Sequence, residues 1–442
     1  MALKVAKFGG SSLADACCFQ KVREILQADE ARRILVPSAP GKRSAVDIKV
    51  TDLFYECSRL ATRGAAMDEP FAQIASRYRE IALALGVDFD LDAELETIRA
   101  DLLHGAGEDY AASRGEYLNG RLLSAWLGWD FVDPKDGIFF DADGRLDQAR
   151  TQHALGTLLS GKAHAVVPGF YGSDACGNIK TFSRGGSDIT GAIVARAAEA
   201  DVYENWTDVP GCMMADPRIV RNPEPIRHIT YQELRELSYM GASVLHEDAI
   251  FPVRLAGIPT NIRNTHQPDE PGTLISYEAE EIDNPYLITG IAGHKDFAII
   301  NVEKAMMNAE LGFGRRVLQA VEEMGISFEH MPSGIDTMCV VVHQDVLAGK
   351  KERLVQRLHE LCQPDTVEIH SGLALIATVG RGMVRKKGAS AKLFNALEKA
   401  GINVRLIDQG SSELNIIVGV DNLDFENATR AIYRAFVTQD RR

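Results

Sequence analysis

Two glycine pairs, each leaving an apolar run and opening a helix, carry the clearest chemical signal in this sequence. The first is Lys4-Val5-Ala6-Lys7-Phe8-Gly9-Gly10-Ser11-Ser12 and the second is Phe182-Ser183-Arg184-Gly185-Gly186-Ser187-Asp188. Glycine lets backbone N–H groups close on an anion, and the following helix N-terminus adds partial positive charge. Lys7, at the strand end, could neutralise charge on a transferring phosphoryl group. Arg184 offers a planar fork that suits carboxylate or phosphate. The Walker pattern G-x-x-x-x-G-K-[ST] is absent, and K-F-G-G alone reads equally well as a tight turn after a buried strand. Asp188 has two readings at this stage, an N-cap and a functional acid.

Two further clusters belong with these. In Ser113-Arg114-Gly115-Glu116-Tyr117-Leu118 the glutamate stands at the start of an apolar helix. There it either complements the helix dipole or holds a substrate ammonium. In Trp206-Thr207-Asp208-Val209-Pro210-Gly211, followed by Asp216-Pro217-Arg218, Asp208 ends a strand where a carboxylate can take a ribose hydroxyl, and Arg218 could reach nucleotide phosphates. Asp-x-Pro-Gly is otherwise an ordinary turn.

The elements that must position these residues alternate between β-branched runs and amphipathic helices. Strands are expected at Leu3–Phe8, Arg33–Pro37, Ala163–Phe170, Asp201–Trp206 and Pro259–Asn264, with helices such as Phe19–Gln27, Gly115–Leu127 and Asp188–Ala198. That alternation predicts an α/β fold, an open, mostly parallel sheet sandwiched by helices, with ligands at the carboxyl ends of the strands. Residues 47–104 read as a helical insertion after the second strand. The last third holds an internal repeat at a constant offset of 76 residues. Gly312/Gly388, Ala320/Ala396, Glu322/Glu398, Gly325/Gly401, Ile326/Ile402 and Gly334/Gly410 coincide, and each copy reads as a βαββ-type unit.

Composition narrows the function. A formal charge of −14 over 442 residues argues against a nucleic-acid partner. No apolar run is long enough to span a membrane, and Met1–Gly10 reads as a strand instead of a secretory signal. The seven cysteines include no C-x-x-C pair, which points to a reducing cytoplasm without a zinc site or disulfide framework.

Taken in order, K-F-G-G-S-S, S-R-G-E, S-R-G-G-S-D, W-T-D-V-P-G with D-P-R, S-Y-M-G-A-S-V-L-H and Leu406-Ile407-Asp408-Gln409-Gly410-Ser411-Ser412-Glu413 make this chain resemble the aspartate kinases. The resemblance implies an amino-acid kinase catalytic domain over 1–280 and two ACT modules over 287–368 and 369–442. It implies that ATP with Mg²⁺ phosphorylates the side-chain carboxylate of L-aspartate, the first step towards lysine, threonine and methionine. Lys7 and Asp188 would form the catalytic centre, and Thr51, Glu116 and Arg184 would bind substrate. Lys7, Gly9, Gly10, Ser11, Ser38, Gly186, Ser187, Thr207, Asp208, Arg218 and Ser243 would bind nucleotide. No protein residue is assigned to metal. Many relatives read Gly-Ala-Lys where this chain has Gly241-Ala242-Ser243, and Lys42 and Arg43 are candidates to supply the missing charge.

The repeats imply feedback by an amino acid, L-lysine first and L-threonine second. Effector contacts are expected at Met307, Gly312, Phe313, Ser327, Glu329 and Asp336. Pairing of such modules through sheet edges implies a homodimer or a higher homo-oligomer. The alternatives are a glutamate 5-kinase, an acetylglutamate kinase, and a non-catalytic amino-acid sensor, which the intact Lys7, Arg184 and Asp188 disfavour.

Overall fold

A computed structural model describes residues 2–183, 185–242, 247–278 and 285–438. The chain divides into two compact units. The first comprises 1–212, 227–231 and 244–279, and the second comprises 213–226, 232–243 and 280–442.

The first unit is built on β1 (Lys4–Phe8), β2 (Arg32–Pro37), β3 (Asp130–Phe131), β4 (Ala165–Val166), β7 (Val202–Thr207), β8 (His228–Thr230), β9 (Thr260–Asn264) and β10 (Thr273–Ser276). Their order is β3-β4-β2-β1-β7-β9-β10-β8, and every neighbouring pair is parallel except β9 with β10. A separate antiparallel hairpin joins β5 (Tyr171–Ser173) to β6 (Ile179–Thr181). The expected strand at 163–170 is regular only at Ala165–Val166. Pro168 and Gly169 follow it, and proline cannot continue a ladder.

Helices α1 (Ala16–Gln27), α5 (Glu108–Leu127), α6 (Gln148–Leu159), α7 (Gly186–Ala197) and α9 (Phe251–Ala256) complete this unit, with the inserted α2 (Val50–Thr62), α3 (Asp68–Leu85) and α4 (Leu91–Leu103). The insertion has its own apolar core around Phe54, Ile74, Tyr78 and Ile98. Central strand β1 buries Val5, Ala6 and Phe8 completely, and Phe8 stacks on Trp206 of β7 with ring centroids 5.7 Å apart. Next to Trp206, the carboxylate of Glu204 is buried and held by Arg32 Nε at 2.7 Å and by the Trp206 indole N–H at 2.9 Å. A buried charge survives only with such partners.

In the second unit, helix α8 (Tyr231–Tyr239) lies beside one five-stranded antiparallel sheet. That sheet comprises β11 (Gly290–Glu303), β12 (Thr337–His343), β13 (Thr366–Val379), β14 (Leu406–Asp408) and β15 (Asn415–Asp421), ordered β12-β11-β13-β15-β14. Both copies of the repeat share it, because β11 of the first pairs along its length with β13 of the second. Helices α10 (Phe313–Glu323) and α11 (Lys351–Cys362) belong to the first copy, and α12 (Ala389–Lys399) and α13 (Phe425–Tyr433) to the second. The copies differ at one strand. Where the second has β14, the first has only isolated bridges at His330 and Ser333. Pro332 sits there and lacks the N–H that a regular ladder needs.

Candidate active site

Lys7 is the penultimate residue of β1 and Asn205 is its register partner on β7, so in this parallel pair both side chains leave the same face of the sheet. Asp188 arrives from the first turn of α7. Lys7 Nζ lies 2.5 Å from Asp188 Oδ1, and the Asn205 amide donates to the same oxygen at 2.9 Å. The N-cap of α7 is Gly185, at φ 59°, so Asp188 is not the cap. Its side chain is spent on Lys7 and Asn205. The first N–H groups of α7, including those of Gly186 and Ser187, have no acceptor within the helix.

The loop after β1 is set by close backbone approach. Gly9 N–H donates to Trp206 O at 3.1 Å, and Ser12 N–H donates to Gly9 O at 3.0 Å. Ser12 also shares a 2.6 Å hydrogen bond with Thr265. Gly41 N–H donates to Gly10 O at 2.7 Å, and a Cβ on Gly41 would fall 2.5 Å from that oxygen. Ser38 N–H reaches Phe8 O at 3.1 Å, and the Asn119 amide of α5 holds Ser38 O at 2.7 Å. From the insertion, the Arg77 guanidinium donates to Ala14 O at 2.9 Å and to Gly41 O at 3.4 Å. The loops that carry Ser11 and Ser38 are therefore laid side by side, beside the end of β1.

Glu116 is the largest departure from expectation. Helix α5 begins at Glu108, so Glu116 lies in its middle and does not serve the first turn. Glu108 and Asp109 occupy that turn instead. Glu116 is buried, and its Oε2 has no hydrogen-bond partner. Burial pushes its carboxyl up to about 8. A buried carboxylate with one bare oxygen is suited to a cation. Gly115 packs on Ala39 and Val50, which brings the start of α2, and Thr51 with it, up to this part of α5.

The remaining expected nucleotide residues belong to both units. Thr207 and the exposed Asp208 follow each other at the end of β7, joined by a 3.2 Å hydrogen bond. Arg218 belongs to the second unit, where Asp216 takes its guanidinium at 2.6 Å. Arg43 is engaged by Asp47 at 3.3 Å and Glu80 at 2.9 Å, so it is not an idle replacement for the missing lysine. Arg184 and Ser243 lie outside the described residues. Asn205, Arg77 and Asn119 were absent from the sequence reading, because their positions suggest neither a loop nor a motif.

In the second unit, Met307 and Phe313 point into the apolar core of the first copy. Gly312 is the N-cap of α10 at φ 76°, and Ser327 is exposed. Asp336 accepts the Met306 N–H at 2.9 Å, and Glu329 accepts the Tyr239 hydroxyl of α8.

Residues 2–264 match the amino acid kinase family, and residues 376–436 match the ACT domain. The chain is 38% identical to aspartokinase 3 of Bacillus subtilis, covering 98% of both chains. The crystal structure of Clostridium acetobutylicum aspartate kinase superposes with a TM-score of 0.92 at 50% identity, covering 98% of this chain and all of that one. The chain belongs to the aspartate kinase family. This aspartate kinase spans 51% of a bifunctional aspartokinase/homoserine dehydrogenase of Arabidopsis thaliana, at 29% identity. E. coli aspartokinase III in complex with lysine and aspartate superposes with a TM-score of 0.72 at 25% identity. Among the described residues of this aspartate kinase, no helix is long and apolar enough to cross a membrane.

Proposed function

We propose that the enzyme moves the terminal phosphoryl group of ATP onto the side-chain carboxylate of L-aspartate, giving 4-phospho-L-aspartate and ADP, in the cytoplasm. The attacking carboxylate is already anionic, so the reaction needs no strong base. It needs two negative reactants held together, by cations and oriented N–H donors. Lys7 supplies an ammonium, and the two glycine loops supply backbone donors. Glu116 takes the substrate ammonium and Arg184 the substrate carboxylate, with Thr51 beside them. Ser38 lies by the transferring phosphate, and Thr207 and Asp208 serve the nucleotide.

The observation that carries these roles is the meeting of Lys7 and Asp188 at 2.5 Å. Among the described residues no three His, Cys, Asp or Glu side chains gather as a metal site. A Mg²⁺ ion would neutralise part of the charge on the phosphates of ATP. Trapping the acyl phosphate as a hydroxamate tests the reaction. L-aspartate with ATP should give product, and L-glutamate and N-acetylglutamate should not. Product from either of those, or none from aspartate, overturns the reading.

We also infer that L-lysine is the feedback effector, bound in the first copy near Ser327, Glu329 and Asp336. The likeness to E. coli aspartokinase III with lysine supports this. Equilibrium dialysis should detect lysine binding, and its absence would remove this part. Pairing through the sheet edges at β12 and β14 would make the enzyme a homodimer or larger, which sedimentation would report.

A further inference from the structure

We propose that Asn205 is a positioning residue of the phosphoryl-transfer centre, holding Asp188 in place so that the Lys7 ammonium can turn to phosphate. The inference rests on reading Lys7 and Asp188 as the catalytic pair. Strand β7 is flanked by β1 and β9 in a largely parallel sheet, where side chains are normally apolar. Asn205 is only 3% exposed there. A buried amide costs stability unless it is bonded, and this one is bonded to two charged groups. Its Nδ2 donates to Asp188 Oδ1 at 2.9 Å, and its Oδ1 accepts from Lys7 Nζ at 3.5 Å.

Lys7 Nζ and the Asn205 amide thus converge on one oxygen of Asp188. An ammonium has three donors and no acceptor. When phosphate oxygens claim those donors, Asp188 loses its hold on Lys7. Asn205 is then the partner that keeps the Asp188 carboxylate fixed, and it does so without adding charge. A cation at this position would repel Lys7, whereas a carboxylate would compete with phosphate for it. An apolar residue would fill the space and leave Asp188 with Lys7 alone. Glu204, next in sequence, points to the opposite face and is satisfied by Arg32 and Trp206, so Lys7 and Asp188 are the charged groups that Asn205 meets.

The test uses the full-length enzyme with Asn205→Leu and Asn205→Asp, both close to asparagine in size. Asn205→Leu should lower kcat about ten- to a hundredfold, the worth of a hydrogen bond to a charged group. KM for ATP and for aspartate should stay within about twofold. Asn205→Asp should retain most activity at the acid end, where its carboxyl can still donate a proton to Asp188. It should lose activity as pH rises and two carboxylates face each other. A merely structural role moves neither the kcat-to-KM split nor the shape of that profile. Wild-type kcat in Asn205→Leu, a rise in both KM values with kcat kept, or an Asn205→Asp profile parallel to wild type overturns the proposal. If Asn205→Leu does not fold, the Asn205→Asp profile alone decides. Lys7→Ala separates the two layers. An active Lys7→Ala sinks the catalytic-pair reading, whereas an inactive Lys7→Ala beside a normal Asn205→Leu sinks only the role of Asn205.

Discussion

Lys7 Nζ and Asp188 Oδ1 stand 2.5 Å apart, tying the end of β1 to the first turn of α7. Lys7 is 6% exposed, so its charge acts in a poorly solvated place where it is worth more than in water. Lys7→Ala should reduce turnover roughly a hundred- to a thousandfold, with a native circular dichroism spectrum. Lys7→Arg should not restore it, because the guanidinium fork does not fit a site shaped for a compact ammonium. Steady-state assays of both variants check this.

Gly41 lies back to back with Gly10, and an added Cβ would fall 2.5 Å from the Gly10 carbonyl oxygen and 2.7 Å from the Ser11 nitrogen. Both are backbone atoms that cannot turn aside. Gly41→Ala should push the phosphate loop outward and cut kcat/KM for ATP by about a hundredfold. Stability should suffer less, since the displaced segment is a loop. A change under about threefold in kcat/KM would show that the two loops move freely past each other.

Glu116 carries a pH dependence whose sign follows from its burial. Its carboxyl is pushed from 4.5 up to about 8 in the folded chain. Between those values the folded state keeps a proton that the unfolded state releases. Its contribution to stability is therefore intact at low pH and lost as pH rises towards about 8. Glu116→Gln should remove this loss, so the variant should gain on wild type across that window in urea titrations. Aspartate binding to the wild type near neutral pH should also release a proton, as its ammonium pairs with Glu116. Calorimetry in buffers of different ionisation enthalpy measures that release, and none is expected from Glu116→Gln.

Tyr239 of α8 donates to Glu329, one of the residues proposed to bind the effector, whose carboxylate could take a lysine ammonium. If the two compete, removing the hydroxyl favours the effector. Tyr239→Phe should leave turnover without lysine near wild type and lower the lysine concentration for half-inhibition several-fold. Glu329→Gln should raise it. Unchanged inhibition curves in both variants would place lysine elsewhere.

How much of this was legible in the sequence varies from residue to residue. The two glycine loops, the strand that feeds the first and the repeat at an offset of 76 residues could be read from neighbours in the chain, because turn chemistry and helix capping act over a few residues, whereas the β5–β6 hairpin ahead of the second loop was not foreseen. The expected helix began at Gly115, whereas α5 begins at Glu108 and carries Ala111, Ala112, Ser113 and Gly115 in its interior. In the fold they are small and buried where the helix packs tightly against its surroundings. The missing strand in the first copy turns on Pro332, visible in the sequence but outweighed there by the likeness of the copies.

By itself the sequence determined the local frame: that β1 runs through Lys7 into a glycine pair, that a second glycine pair opens a helix near Asp188, and that the last third repeats. Tertiary structure alone decided that Asn205 faces Lys7, that Arg77 clamps the loop at Gly41, and that Glu116 is sealed in with one oxygen bare. The reason is physical. Local preferences reach one turn of helix or one pair of residues. The register between parallel strands and the burial of a side chain are set by the packing of segments far apart in the chain.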